Sequence, residues 1–172
     1  IEKPYQWMAI TAGELSPRKN IDLLLKSFAA FIRKNNICDA GLWVVGGKGS
    51  YRDYLKSLSV ELGIEKEVTF TGYVQNPYPY MKQSDVLVSC SANEGVSNAL
   101  LEAMALGCVV ITTGAGGTCE LIKNNENGLL FSPENKDTLS RLLLDIYQHP
   151  EKAKQLSGVA KTTIENQFSL KR

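Results

Sequence analysis

Glu94 and Glu102 are the residues whose type and spacing point first to chemistry. They bracket Gly95-Val96-Ser97-Asn98-Ala99-Leu100-Leu101, and Glu102 is the only charge in the apolar run from Ala99 to Leu106. A carboxylate among apolar neighbours needs a partner, because desolvation without one costs several kcal/mol or shifts its pKa. At about 100° per residue, Glu102 shares a helix face with Asn98 and Gly95, the side that leads to the helix start. That start carries free N–H groups and the positive end of the dipole, which suit phosphate. Gly95 lets the backbone come close to a ligand. The layout fits a nucleotide diphosphate, with phosphates at the helix start, a diol on Glu102 and a further group near Glu94. Plainer readings stand beside this one: Glu102 in a salt bridge inside the fold, and Glu94 as a solvated loop acid or a charge stabilised by the helix dipole.

The elements that must hold these residues alternate along the chain. Strands are predicted at Trp7–Ala12, Gly41–Gly46, Glu67–Thr71, Asp85–Ser89, Cys108–Thr112 and Gly128–Phe131. Helices are predicted at Ile21–Lys34 with Asn20 as N-cap, at about Tyr51–Leu62, as a short helix opened by Pro77-Tyr78-Pro79-Tyr80, after the Glu94 loop, at about Thr118–Lys123, and roughly at Lys136–Tyr147 and Pro150–Gln167. Near-continuous apolar strands separated by helices imply an α/β, doubly wound, mainly parallel six-stranded sheet with helices on both faces. Ligands of such sheets bind beyond the carboxyl ends of the strands. The glycine-rich turns at Gly46-Gly47-Lys48-Gly49 and Gly114–Gly117, like the Glu94 loop, follow strands and so gather on that edge.

The totals exclude several classes. With 172 residues, 44% of them hydrophobic, the chain can bury a core of one domain. A net charge of +1 with interspersed signs argues against a nucleic-acid footprint. No apolar stretch approaches the ~18 residues of a membrane span. Cys38, Cys90, Cys108 and Cys119 lack Cys-x-x-Cys spacing, which disfavours zinc and a disulfide framework and fits a reducing cytoplasm. No metal site is expected, and His149 before Pro150 reads as a helix-end residue. The Gly46 turn lacks G-x-G-x-x-G spacing and follows the second strand, which discounts NAD. Tyr78 and Tyr80, alternating with prolines, read as shapers of a loop. The chain opens at Ile1 and quickly enters a strand, so it reads as a piece of a longer protein.

The order of segments resembles a known family. Ala12-Gly13-Glu14-Leu15-Ser16-Pro17-Arg18-Lys19-Asn20, Val44-Val45-Gly46-Gly47-Lys48-Gly49, Val68-Thr69-Phe70-Thr71-Gly72-Tyr73-Val74, the Glu94-x7-Glu102 pair, Gly116-Gly117-Thr118-Cys119-Glu120 and Asn127-Gly128-Leu129-Leu130-Phe131 are similar, in order, to landmarks of the retaining group-1 glycosyltransferases of the GT-B fold, family 4 type. The likeness covers nearly the whole chain. It implies the Rossmann-like, C-terminal, donor-binding half of a two-domain enzyme. It also implies retaining transfer of a sugar from a nucleoside-diphosphate sugar to an acceptor hydroxyl, with no obligatory metal or other cofactor.

By the resemblance, Glu102 binds the ribose and Glu94 lies against the donor sugar. Backbone groups at Gly95, Val96 and Ser97 meet the diphosphate or sugar, Tyr73 and Val74 lie near the base, and Gly13 is a further donor-binding residue. Lys19 neutralises the diphosphate. One departure stands out: the family usually has Arg directly after the first glycine, where this chain has Glu14. A carboxylate there repels a diphosphate, and Arg18 is the residue that could reach over instead. The implied partners are an N-terminal acceptor domain and a carbohydrate or lipid-linked acceptor in polysaccharide biosynthesis, at a cytoplasmic or membrane-peripheral location. The isolated domain is expected to bind donor and transfer little. Alternative functions are a nucleotide-sugar epimerase of the same architecture and a non-catalytic nucleotide-binding module.

Overall fold

The computed structural model describes residues 1–47, 50–92, 96–135 and 137–168. Six strands form one sheet: β1 (Trp7–Ala12), β2 (Ala40–Val45), β3 (Val68–Gly72), β4 (Val86–Ser89), β5 (Val109–Thr113) and β6 (Leu129–Phe131). Their order is β3-β2-β1-β4-β5-β6, and every neighbouring pair is parallel. The α-helices are α1 (Ile21–Lys34), α2 (Ser50–Glu61), α3 (Tyr78–Lys82), α4 (Asn98–Ala105), α5 (Thr118–Leu121), α6 (Thr138–Gln148) and α7 (Pro150–Phe168), and a 3-10 turn spans Pro17–Lys19. This is the doubly wound arrangement expected from the alternation of elements, with predicted boundaries within about two residues of those observed.

Side-chain alternation divides the core between the two faces of the sheet. On β1, Trp7 and Ala9 join a cluster with Leu24, Phe28 and Phe31 of α1, Leu55 of α2 and Leu143 of α6. Met8 and Ile10 point the other way, to Met81 of α3, Leu100 and Met104 of α4, and Ala160 of α7. On β2, Leu42 and Val44 take the first face and Trp43 and Val45 the second. All six residues of β2 are buried, which is why its sequence shows an apolar run rather than an alternating one.

Two local details refine the expectations. Asn20 does precede α1, but its side chain makes no cap hydrogen bond. Its backbone is left-handed (φ 51°, ψ 40°), because it also ends the 3-10 turn, where its N–H reaches the Pro17 carbonyl. Asparagine is one of the few side chains that tolerate this conformation. The sixth helix runs Thr138–Gln148, within two residues of the expected Lys136–Tyr147; Lys136 lies outside the described residues.

Candidate functional site

The strand order reverses direction between β1 and β4, and that junction opens the site. β1 and β4 pair at only two positions, Ala9 with Val86 and Ile10 with Leu87. Asp85 secures the lower end, since its carboxylate accepts the Met8 N–H at 2.7 Å and pairs with Lys3 at 2.8 Å. Beyond Ile10 and Leu87 no pairing holds the strands together, so a crevice forms above them. Lys19, Ser91 and Ser97 line its narrow part.

Helix α4 rises from this crevice. Ser97 has the extended backbone of an N-cap (φ −78°, ψ 142°), and its hydroxyl accepts the Leu100 N–H at 3.3 Å. Leu100, Ala103 and Met104 anchor the helix in the core. Glu102 lies on a different stripe of the helix and faces a cavity of about 550 Å³ at the carboxyl ends of the strands, a size in the range of small-molecule sites.

The far wall of the cavity is made of backbone. Gly13, Gly46 and Gly47 line it beyond β1 and β2. The Gly13 N–H donates to the Val45 carbonyl at 3.0 Å, and the Gly46 N–H to the Gly72 carbonyl at 2.9 Å. Gly46 has φ +115°, and a Cβ on it would collide with the Gly13 carbonyl oxygen. Only glycine meets both conditions. Lys48 and Gly49 of the same turn lie outside the described residues.

The structure brings most of the sequence-predicted residues to this one edge. Gly13, Tyr73, Val74 and Glu102 line the cavity. Tyr73 is 71% exposed, an aromatic ring left open at the mouth. Lys19 and Ser97 line the adjoining crevice. Val96 turns its side chain toward Gly117 and the second core cluster, away from the cavity lining. Glu94 and Gly95 lie outside the described residues.

Glu102 is half-buried, not stranded in apolar packing, and among the described residues no lysine or arginine is ion-paired to it. Its partner is the Tyr78 hydroxyl, which donates to Oε1 at 3.3 Å. The internal salt bridge weighed as its plainer reading is therefore not what the fold builds. The Arg18 guanidinium lies 3.7 Å from the Glu14 carboxylate, both groups being well exposed. The 3-10 turn brings these two side chains together, so Arg18 offsets Glu14.

Two residues of the site escaped the sequence reading. Tyr78 is one, since its Pro-Tyr-Pro setting reads as a loop shaper. Ser91 is the other. It is 3% exposed, its carbonyl accepts the Thr113 hydroxyl, and its own hydroxyl has no hydrogen-bond partner although it lines the crevice with Lys19. A buried hydroxyl left unpaired calls for a partner such as an ordered water or a ligand atom. Nothing in a lone serine after a strand signals this. Among the described residues no group of three His, Cys, Asp or Glu side chains could hold a metal ion, and all four cysteines are free thiols.

Comparison with known proteins places the chain. The sequence profile of the group 1 glycosyl transferases matches residues 2–163. An uncharacterized glycosyltransferase of Methanocaldococcus jannaschii is 33% identical over 135 residues, which are 77% of this chain and 34% of that protein. The N-acetylgalactosamine-N,N'-diacetylbacillosaminyl-diphospho-undecaprenol 4-alpha-N-acetylgalactosaminyltransferase of Campylobacter jejuni is 30% identical over 154 residues, 89% of this chain and 40% of that enzyme. The chain thus spans between a third and two fifths of the length of these curated relatives. Anabaena HepE, solved in complex with UDP, superposes with a TM-score of 0.87 over 96% of this chain and 45% of its own, at 23% identity, a likeness of fold. The profile match over nearly the whole length, on a fold shared with GT-B enzymes, shows that this chain belongs to the group 1 glycosyltransferases.

Proposed function

We propose that this chain is the donor-binding part of a retaining glycosyltransferase, taking a nucleoside-diphosphate sugar whose glycosyl group passes to an acceptor hydroxyl. The observation that carries the reading is Glu102: a half-buried carboxylate with no cationic mate among the described residues, facing a 550 Å³ cavity at the reversal of strand order. A carboxylate with acceptor capacity to spare suits the two hydroxyls of a ribose. The glycine-lined wall and the exposed Tyr73 then accommodate the base. The diphosphate lies toward the crevice, under Lys19 and the N-terminus of α4.

Departure of a diphosphate develops negative charge, and stabilising that charge is the main catalytic requirement. Lys19 and the α4 N–H groups are the residues for it here. Arg18 contributes little net charge while it is paired with Glu14. Glu94 is assigned the donor sugar by the resemblance. A glycosidase pair is a poor description, because both carboxylates would have to flank the scissile bond, and Glu102 lies in the second turn of α4, facing the base side. The acceptor site is assigned to an N-terminal domain of the full-length protein, so transfer needs both halves, and no metal is invoked. The named relatives are transferases, which favours this reading over an epimerase.

Titration of the chain with UDP, GDP and ADP tests the assignment, with UDP first because HepE of the same fold binds it. One of the three should saturate. Glu102→Ala should weaken it about 10- to 100-fold, the scale of hydrogen bonds to a charged group. Binding unchanged by that substitution overturns the reading. Retention is tested separately, by the anomeric configuration of the product formed by the full-length protein.

A further inference from the structure

Tyr78 is the first residue of α3, and its place is tightly prescribed. Pro77 and Pro79 restrict the backbone on either side. The Asn76 side-chain oxygen accepts the Tyr78 N–H at 3.0 Å. The Pro77 carbonyl accepts the N–H groups of Tyr80 and Met81 at 3.0 and 3.1 Å. Below, Met81 is fully buried and Tyr80 packs edge-on against Trp43, with ring centroids 5.2 Å apart. The short helix is therefore fastened to the core, while the Tyr78 ring stands 47% exposed at the rim and directs its hydroxyl to Glu102 Oε1.

We infer that Tyr78 is a positioning residue for donor recognition: its hydroxyl holds one oxygen of the Glu102 carboxylate, so that the remaining acceptor directions face the ribose hydroxyls in the cavity. The inference rests on the reading of Glu102 given above and extends it to a residue outside the cavity lining. A carboxylate has about four acceptor directions, and one phenol occupies one of them. Three are left, enough for a vicinal diol. Without the phenol, an acid in the second turn of a surface helix samples several rotamers, and each productive contact must first select one. The 3.3 Å separation is long for a hydroxyl on a carboxylate, leaving room for the bond to shorten once a diol fixes the acid. The charge of Glu102 also raises the pKa of Tyr78, so the phenol keeps its proton and remains the donor across neutral pH.

The test uses the 172-residue chain with UDP, GDP and ADP, each paired with its 2′-deoxy and 3′-deoxy counterparts, in calorimetric titrations. The readout is the ribo-to-deoxy affinity ratio, which a purely structural role does not move. Tyr78→Phe retains the ring at the rim. It should weaken the ribonucleotide about fivefold while leaving the deoxy forms nearly unchanged, so the ratio falls. Tyr78→Phe with an unchanged ratio, or with tighter ribonucleotide binding, overturns the inference; the latter would mean that Tyr78 competes with the diol. Glu102→Gln separates the two levels. If it collapses the ratio and Tyr78→Phe does not, only the role of Tyr78 falls. If Glu102→Gln leaves the ratio intact, or no nucleotide binds, the reading of Glu102 fails and takes that of Tyr78 with it.

Discussion

On the β1–β3 side of the crevice the strands run out into glycine, with Gly13 after β1, Gly46 after β2 and Gly72 at the end of β3. On the β4–β5 side the strands end in hydroxyls, ahead of the Gly114–Gly117 turn that follows β5. Ser89 ends β4, Thr112 and Thr113 end β5, and Ser91 and Ser97 follow on the way to α4. These hydroxyls, with Thr118, surround a space of about 10 Å³, no more than roughly one water molecule needs. One side makes room by leaving side chains out, and the main chain itself becomes the wall. The other side supplies polar groups and the helix that aims them. A nucleotide needs both a smooth slot for a flat base and fixed charges and donors for its polar part. The sheet meets the two needs with adjacent halves of one edge.

The largest expected effect lies on the glycine side. Gly46→Ala meets a positive φ and a collision with the Gly13 carbonyl oxygen. It should cost about 2–4 kcal/mol of stability, read as a lower denaturant midpoint. An unchanged midpoint would show that this wall yields, and the contrast between the halves would lose its rigid member. Next comes the charge of the crevice. Lys19→Met should weaken nucleoside diphosphates about tenfold and leave the free nucleosides almost untouched; equal losses for both would remove Lys19 from the diphosphate site. The smallest effect is expected at the departure from the family pattern. Glu14→Arg removes a repelling carboxylate and frees Arg18 from its 3.7 Å pair. Diphosphate affinity should rise about threefold at low salt, and the gain should shrink as salt screens these exposed groups. A loss of affinity would mean that the Glu14–Arg18 pair itself shapes the phosphate site.

Much of this edge was legible in one dimension. The run Trp7–Ala12 has the composition of a buried strand, and β1 occupies those residues. Glu102 announced itself as a charge inside an apolar helix, and the cavity-facing position agrees with that contrast. Tyr78 did not announce itself, because what matters is a contact 24 residues away, and its prolines speak only of the local backbone. Ser91 was silent for a similar reason. Its significance is an unmet hydrogen bond, a property of what surrounds it rather than of what it is. Asn20 marked the start of α1 correctly but not how it is capped, because asparagine serves both as a side-chain cap and as a tolerant left-handed residue, and the preceding turn selected the second use.

Periodicity and residue type alone determined the alternation of strands and helices, the parallel sheet, and the gathering of turns at one edge. These follow from which side chains avoid water and from the two repeat lengths of regular backbone, both local properties. The tertiary structure decided which groups meet across that edge: Glu102 with Tyr78 rather than with a cation, Arg18 with Glu14, and Gly46 with the carbonyl of Gly13. Such meetings depend on distances between segments far apart in the chain, which the packing of strands and helices sets.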